Sequence, residues 1–430
     1  MRLNASEYNQ HWQDKTLNEL GDFQRGKSRH RPRNDPALFS GGKHPLIQTG
    51  EIKEANLYIT AHSTAYNDFG LAQSKLWPKN TLCITIAANI AETALLNYPM
   101  CFPDSVVGFN AYAEQSSELF MHYVFTYIRR AIQNSVTGSI QDNINIEYLT
   151  SLKFKIPVKN YQDKIAAVLS ALDAKIDCNN RINAELEAMA KALYDYWFVQ
   201  FDFPDANGKP YKSSGGKMVY NAALKQEIPA EWQALELSDV ISRSGTGLNP
   251  RDNFQLGSGN NYYVTIKNVS NGKITLDDKC DKVDDEALKI IDRRSQLQVG
   301  DILFTSIEPV GVTYLIHKKP ENWNINESIF TIRADHAKTN AEYLFCLLSS
   351  NGMKAFTKNS STGSIHKGIR HGVLKTYPLA YGGKELMDKF SVVIKPMLQQ
   401  MYVLENENQQ LAQLRDWLLP LLMNGQVTVA

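Results

Sequence analysis

The sequence predicts an α+β protein: two similar globular units separated by two long helices that pack as an antiparallel coiled coil with pseudo-two-fold symmetry. Three observations predict it: an internal repeat, mixed strand and helix patterning inside each copy, and a heptad seam that follows each copy. The repeat spans the chain. Trp12-Gln13 with Leu17 recurs as Trp232-Gln233 with Leu237, and Leu76, Asn80 and Leu82 recur as Leu297, Asp301 and Leu303. Pro103-Asp104-Ser105-Val106-Val107 recurs as Asn326-Glu327-Ser328-Ile329-Phe330, and Thr137-Gly138-Ser139-Ile140 as Thr362-Gly363-Ser364-Ile365. The offsets are 220 (232 − 12), 221 (297 − 76), 223 (328 − 105) and 225 (362 − 137). They rise in order, as expected of one duplication followed by small insertions in the second copy.

The first unit spans residues 1–157. Thr81 to Ile86 and Lys153 to Ile156 read as strands, and Leu119 to Ile132 as a helix. The second unit spans 231–383, with a strand at Ile302 to Thr305 and a helix from Ala341 to Phe356. A helical spacer at 158–201 follows the first unit. Its helix is expected from about Asp163 to Phe198, with Asn160 as N-cap. The apolar seam is Ile165, Leu169, Leu172, Ile176, Asn179, Asn183, Leu186, Ala190, Leu193 and Trp197, in strict steps of four and three. A second helical spacer, 384–430, repeats it as Phe390, Ile394, Met397, Met401, Leu404, Asn408, Leu411, Arg415, Leu418 and Leu422.

A helix of about 36 residues is roughly 54 Å long, and its seam needs a partner. Packing the two helices on each other supplies one. Asn183 and Asn408, at equivalent positions near mid-helix, are candidates for a buried pair that fixes register, unless both face solvent. Pro396 is expected to break the second helix near Val393, and Pro420 to mark a kink or end. Residues 202–230, punctuated by Pro204, Asn207-Gly208, Pro210, Gly215-Gly216 and Pro229, read as an extended linker.

With 430 residues, 43% of them hydrophobic, the chain can fill two cores. A net charge of +1 confines any nucleic-acid binding to local patches. No apolar run nears the ~20 residues of a membrane span, and the N-terminus has no signal-peptide pattern. Five scattered cysteines, none in a C-x-x-C pair, suggest reduced thiols in the cytoplasm.

Gly21-Asp22-Phe23-Gln24-Arg25-Gly26-Lys27-Ser28 matches the phosphate-loop expression. A true phosphate loop lies between a buried strand and a helix. Here a polar segment precedes it, and Arg29 to Pro36 cannot form a first helical turn. A P-loop NTPase is therefore a poor reading. The same segment places Arg25, Lys27, Arg29, Arg31 and Arg33 within nine residues. The second copy has Arg243 and Arg251. The Thr-Gly-Ser-Ile loops bring Ser139, Gln141 and Asn143 in one copy, and Ser364, His366, Lys367 and Arg370 in the other. Arg and Lys suit phosphates and guanine, Asn and Gln suit adenine, so these are the candidate DNA contacts. The plainer reading is a set of solvated loops. No catalytic or metal-binding motif stands out.

Two variable α+β units alternating with two long helices, each Thr-Gly-Ser-Ile loop preceding a helical region, resemble the specificity subunit of type I restriction-modification systems. Val299-Gly300-Asp301-Ile302-Leu303-Phe304 and Leu411 to Leu422 carry the likeness too. Asn80-Thr81-Leu82-Cys83 is a weakened form of the first of these motifs, and Arg415 interrupts the second seam. The resemblance implies two target-recognition domains reading the halves of a split, asymmetric double-stranded DNA site. It implies helices that set the half-site spacing and dock two methyltransferase subunits, with restriction subunits joining further out. Adenine-N6 methylation with S-adenosylmethionine, and ATP- and Mg-dependent restriction, would belong to those partners, leaving this chain non-catalytic. The rival reading is a two-lobed DNA-binding regulator without enzyme partners.

Overall fold

The computed structural model describes residues 2–3, 12–87, 89–137, 146–270, 272–361 and 368–429. The chain forms two compact units: residues 1–180 with 405–430, and residues 181–404. Each unit is a globular α+β body that also contains a pair of antiparallel helical segments. The boundaries fall inside both long helices, Lys159–Tyr194 and Lys384–Met423.

In unit 1 a five-stranded sheet runs in the order Gly21–Arg25, Val106–Ala111, Leu82–Thr85, Thr93–Leu96, Tyr58–Ile59. Neighbours are antiparallel except the last pair. Glu118–Thr137 packs on it as a helix, burying Phe120, Met121, Phe125 and Ile128. In unit 2 the sheet is Ile241–Thr246, Ile329–Ala334, Ile302–Thr305, Thr313–Leu315, all antiparallel. These four strands repeat the first four of unit 1. Gln13–Thr16 pairs with Lys153–Ile156, and its counterpart Gln233–Glu236 pairs with Pro378–Tyr381.

The central hairpin fixes the true alignment of the copies. Leu82–Thr85 matches Ile302–Thr305 at an offset of 220 (302 − 82), so Leu82 answers Ile302 and not Leu303. Backbone bonds repeat at the same offset. Asn80 N donates to Leu96 O and Gly300 N to Ile316 O; Ala91 N donates to Thr85 O and Gly311 N to Thr305 O. Both turns need left-handed residues. Gly300 (φ 88°) and Gly311 (φ 86°) adopt them freely, whereas Asn80 (φ 68°) and Ala91 (φ 61°) adopt them at a cost. Buried Asp301 accepts two hydrogen bonds from Arg333 at 2.6 and 2.8 Å. At the matching place Thr81 Oγ1 donates to Asn110 Oδ1 at 2.9 Å. One copy thus has an ion pair where the other has a neutral hydrogen bond.

Several expectations are corrected. The first long helix starts at Lys159, so Asn160 lies inside its first turn. Tyr161 N and Gln162 N donate to Val158 O, and Lys159 pairs with Asp163, which closes the helix one turn early. A π turn, Asp195–Val199, ends it. The second long helix runs unbroken through Pro396. The bond lost is the one to the Val392 carbonyl; Val392 is 75% exposed, so water can replace it, while buried Ile394 and Leu398 hold the helix down. The helix expected from Ala341 to Phe356 is two, Ala341–Ser349 and Asn351–Ser360, because the Ser350 side chain caps the second by accepting from Met353 N. Residues 202–230 are folded, not extended. Met218–Asn221 and Gln226–Pro229 form a hairpin, and Phe203 stacks on Tyr211 and Trp232.

All ten seam positions of each helix are buried or half-buried. In unit 1, Asn408 pairs with Asn179 (2.9 Å) and Asn180 (2.9 Å), not with Asn183. In unit 2, Trp197 and Phe390 meet with ring centres 5.5 Å apart. Asn183, on the seam of unit 2, has a buried Oδ1 with no hydrogen-bond partner.

Arg415 breaks the apolar seam for a visible reason. Its Nη1 donates to Asp173 Oδ1 at 2.7 Å, and Tyr123 donates its hydroxyl to Asp173 Oδ2 at 2.6 Å. Burial works against the Arg415 charge, but Asp173 and then Asp416 together more than offset it and raise the pKa. The pair borders a cavity of about 160 Å³ that His122 and Thr93 also line. Burial, then Arg129 and Arg415, push His122 down to about 3, and its Nδ1 lies 3.0 Å from Thr93 Oγ1.

Candidate DNA interface

In unit 1 the positive charge sits on the loop that leaves the edge strand Gly21–Arg25. The glycines of the apparent phosphate motif serve close packing. A Cβ on Gly21 would lie 2.3 Å from Asn110 O, and one on Gly26 would lie 2.3 Å from Phe102 O and from Pro103 O. Gly247 has the same task in unit 2, where a Cβ would lie 1.9 Å from Ile325 O. After Gly26 comes a loop, then the short 3-10 turn Pro36–Leu38, so the segment does not open an α-helix. A phosphate loop requires one.

The loop is held by its backbone and by two of its five cations. Gln73 Oε1 accepts from Arg29 N (2.6 Å) and His30 N (3.1 Å), and Ser74 donates to Lys27 O (2.9 Å). The His30 ring meets Asp35 at 2.7 Å. Arg25, Lys27, Arg29, Arg31 and Arg33 are all exposed, but they are not equivalent. Arg33 grips Asp104 with two bonds of 2.8 and 3.0 Å. Arg31 turns back onto the carbonyls of Ser28 and His30. Among the described residues, Arg25, Lys27 and Arg29 have no side-chain partner, so three cations remain free for an anion. Sequence reasoning missed Lys75. It lies 3.7 Å from the Trp77 ring centre and donates to Gln24 Oε1. Burial, and then the charge of Lys27, lower its pKa. Nothing in the local sequence connects positions 27 and 75.

Unit 2 is built differently. Arg243 is a structural residue: it donates to Gln296 Oε1 and to Arg294 O, and it belongs to the strand rather than to a loop. Lys27 aligns with Leu248 when Gly26 is set on Gly247. Arg251 is exposed, and Arg370 is exposed at the residue preceding the helix His371–Lys375. Ser139, Gln141, Asn143, Ser364, His366 and Lys367 lie outside the described residues. The frame after the second of these loops is clear: Gly368 bridges Ile307, and Ile369 N donates to Ser306 O at 2.8 Å. Among the described residues no cluster of His, Cys, Asp or Glu could hold a metal ion, and no helix is long and apolar enough to cross a membrane.

The chain combines a duplicated sheet with unlike loops, free cations on one loop and paired helices. The family described as "Type I restriction modification DNA specificity domain" matches residues 9–188 and 229–380, and the chain belongs to it as a specificity subunit. The "Type I restriction enzyme MjaIX specificity subunit" of Methanocaldococcus jannaschii is 20% identical over 425 residues, 97% of this chain and 94% of that protein. The "Type I restriction enzyme HindI specificity subunit" of Haemophilus influenzae is 22% identical over 352 residues, 69% of this chain and 74% of its own. Among solved structures, the S subunit of a type I restriction-modification system from M. genitalium shares the fold. Its TM-score is 0.57 at 15% identity, covering 100% of this chain and 98% of that one.

Proposed function

We propose that this subunit reads a bipartite, asymmetric double-stranded DNA site, one half with residues 1–157 and the other with 231–383. The observation that carries the proposal is a repeated frame with unrepeated loops. The hairpin around Thr85 and Thr305 recurs bond for bond, whereas Lys27 and Leu248 differ at matched places. Symmetric frames can grip a symmetric backbone, and unlike loops can read unlike bases. Arg25, Lys27 and Arg29 contact phosphates in this reading.

The helical regions 158–201 and 384–430 dock two methyltransferase subunits, and restriction subunits join that assembly. The chain does no chemistry itself. S-adenosylmethionine, ATP and Mg belong to the partners, and the complex works in the cytoplasm of a bacterium or archaeon. Methylation-site sequencing of DNA from a host carrying the reconstituted complex tests this. The expected result is adenine methylation at one split, non-palindromic site. Methylation at a single continuous site would overturn the split-site reading, and no methylation together with failure of the chain to co-purify with methyltransferase subunits would favour the regulator instead.

A further inference from the structure

We propose that Phe69 is a base-reading residue of unit 1, contacting the 5-methyl group of a thymine in the major groove. This rests on the reading of unit 1 as a DNA-contacting body. Phe69 is 54% exposed, an unusual place for a phenyl ring, on the short helix Asp68–Ala72. The helix is bolted to the basic loop. Gln73, its C-terminal cap, accepts from Arg29 N and His30 N, and Ser74 holds Lys27 O. The Phe69 ring meets His30 edge-on at 5.6 Å. His44 bonds Asp68, the first residue of the helix, at 2.8 Å.

An exposed apolar ring is therefore fixed within the same rigid patch as the three free cations. Charge at the rim positions the duplex without reading it, and an apolar group reaching past the cations meets the base edges. The thymine methyl is the apolar group that the major groove presents. Phe69 belongs to none of the buried apolar clusters; Leu38, Leu46, Tyr66 and Cys101 form one without it, with Phe39 and Leu71 packed against them.

The test uses the full chain in its reconstituted complex and a duplex carrying the mapped site. Each thymine of the first half-site is replaced in turn by deoxyuridine, which removes only the methyl. Wild type should lose about fourfold in affinity at one position, the factor for one buried methyl group. Phe69→Ala should bind the unmodified duplex more weakly by at least that factor and show no further loss at that position. Phe69→Leu should keep part of the discrimination. The salt dependence of binding should be unchanged in both variants, because no phosphate contact is removed. Deoxyuridine effects that are absent in wild type, or equal in wild type and Phe69→Ala, overturn the proposal. So does a flatter salt slope in Phe69→Ala. If wild type does not prefer the mapped duplex over a scrambled one, the DNA reading of the chain fails first, and the two failures are distinguishable.

Discussion

Arg415 shows how one residue can break a pattern for a reason the pattern does not contain. The heptad rule asks for an apolar side chain there. The folded chain instead places a guanidinium on Asp173, which is 1% exposed and also holds the Tyr123 hydroxyl. Removing one member of a buried ion pair leaves the other charge uncompensated. Arg415→Ala should therefore lower stability by about 3 kcal/mol or more in denaturant titration. His122, in the same cavity, makes a pH prediction. Its folded pKa of about 3 lies below the ordinary 6.5, so between those values the unfolded chain binds a proton that the folded chain refuses. Stability is full above pH 6.5 and falls as pH drops toward 3, by up to about 1.4 kcal/mol per pH unit from this group. His122→Gln should lose that share of the acid sensitivity. Stability curves of wild type and variant that stay parallel between pH 7 and 4.5 would contradict it.

At the scale of elements, the paired helices follow from their seam, and their details follow from neighbours. The seam spacing in the sequence marks the buried stripe of both helices. It does not say which asparagine faces which, because register depends on how the second helix is shifted along the first. Asn408 chooses Asn179 and Asn180. Asn408→Leu alone should destabilise unit 1 by about 1–3 kcal/mol, since the Asn179 amide stays buried and loses a partner. Adding Asn179→Leu should recover most of that, while loosening the register that the polar pair specifies. Thermal melting of the single and double variants separates the two effects. The uninterrupted passage through Pro396 has the same origin. A proline breaks a helix whose only support is its own hydrogen bonds, and this one is also held by buried Phe390, Ile394 and Leu398.

At the scale of the whole molecule, in the proposed split-site reading, the long helices set the distance between half-sites. They contain 36 and 40 residues, roughly 54 and 60 Å at 1.5 Å per residue. One heptad added to each, in register, lengthens the pair by about 10 Å, or about three base pairs of B-DNA. The recognised spacer should grow by about that amount while both half-site sequences stay the same. Mapped sites with an unchanged spacer would remove the ruler role, though not the DNA reading of either unit.

The sequence by itself determined the duplication, the α+β units, the seam stripe and the basic loop. All of these are written in periodicity or in ordered matches that survive without knowledge of distant contacts. Even the rejection of the phosphate motif was legible, since the residues after Ser28 cannot start a helix. Only the tertiary structure decided how the cations divide. Arg33 is spent on Asp104, 71 positions away, and Arg243 on Gln296, 53 positions away, while Arg25, Lys27 and Arg29 stay free. It also decided that Lys75 and Phe69 join the basic loop, and that Arg415 answers a carboxylate on another helix. The physical reason is the same in each case. Local spacing fixes which face a residue occupies, but charge pairing and exposure are set by groups far off in the chain, which only folding brings within reach.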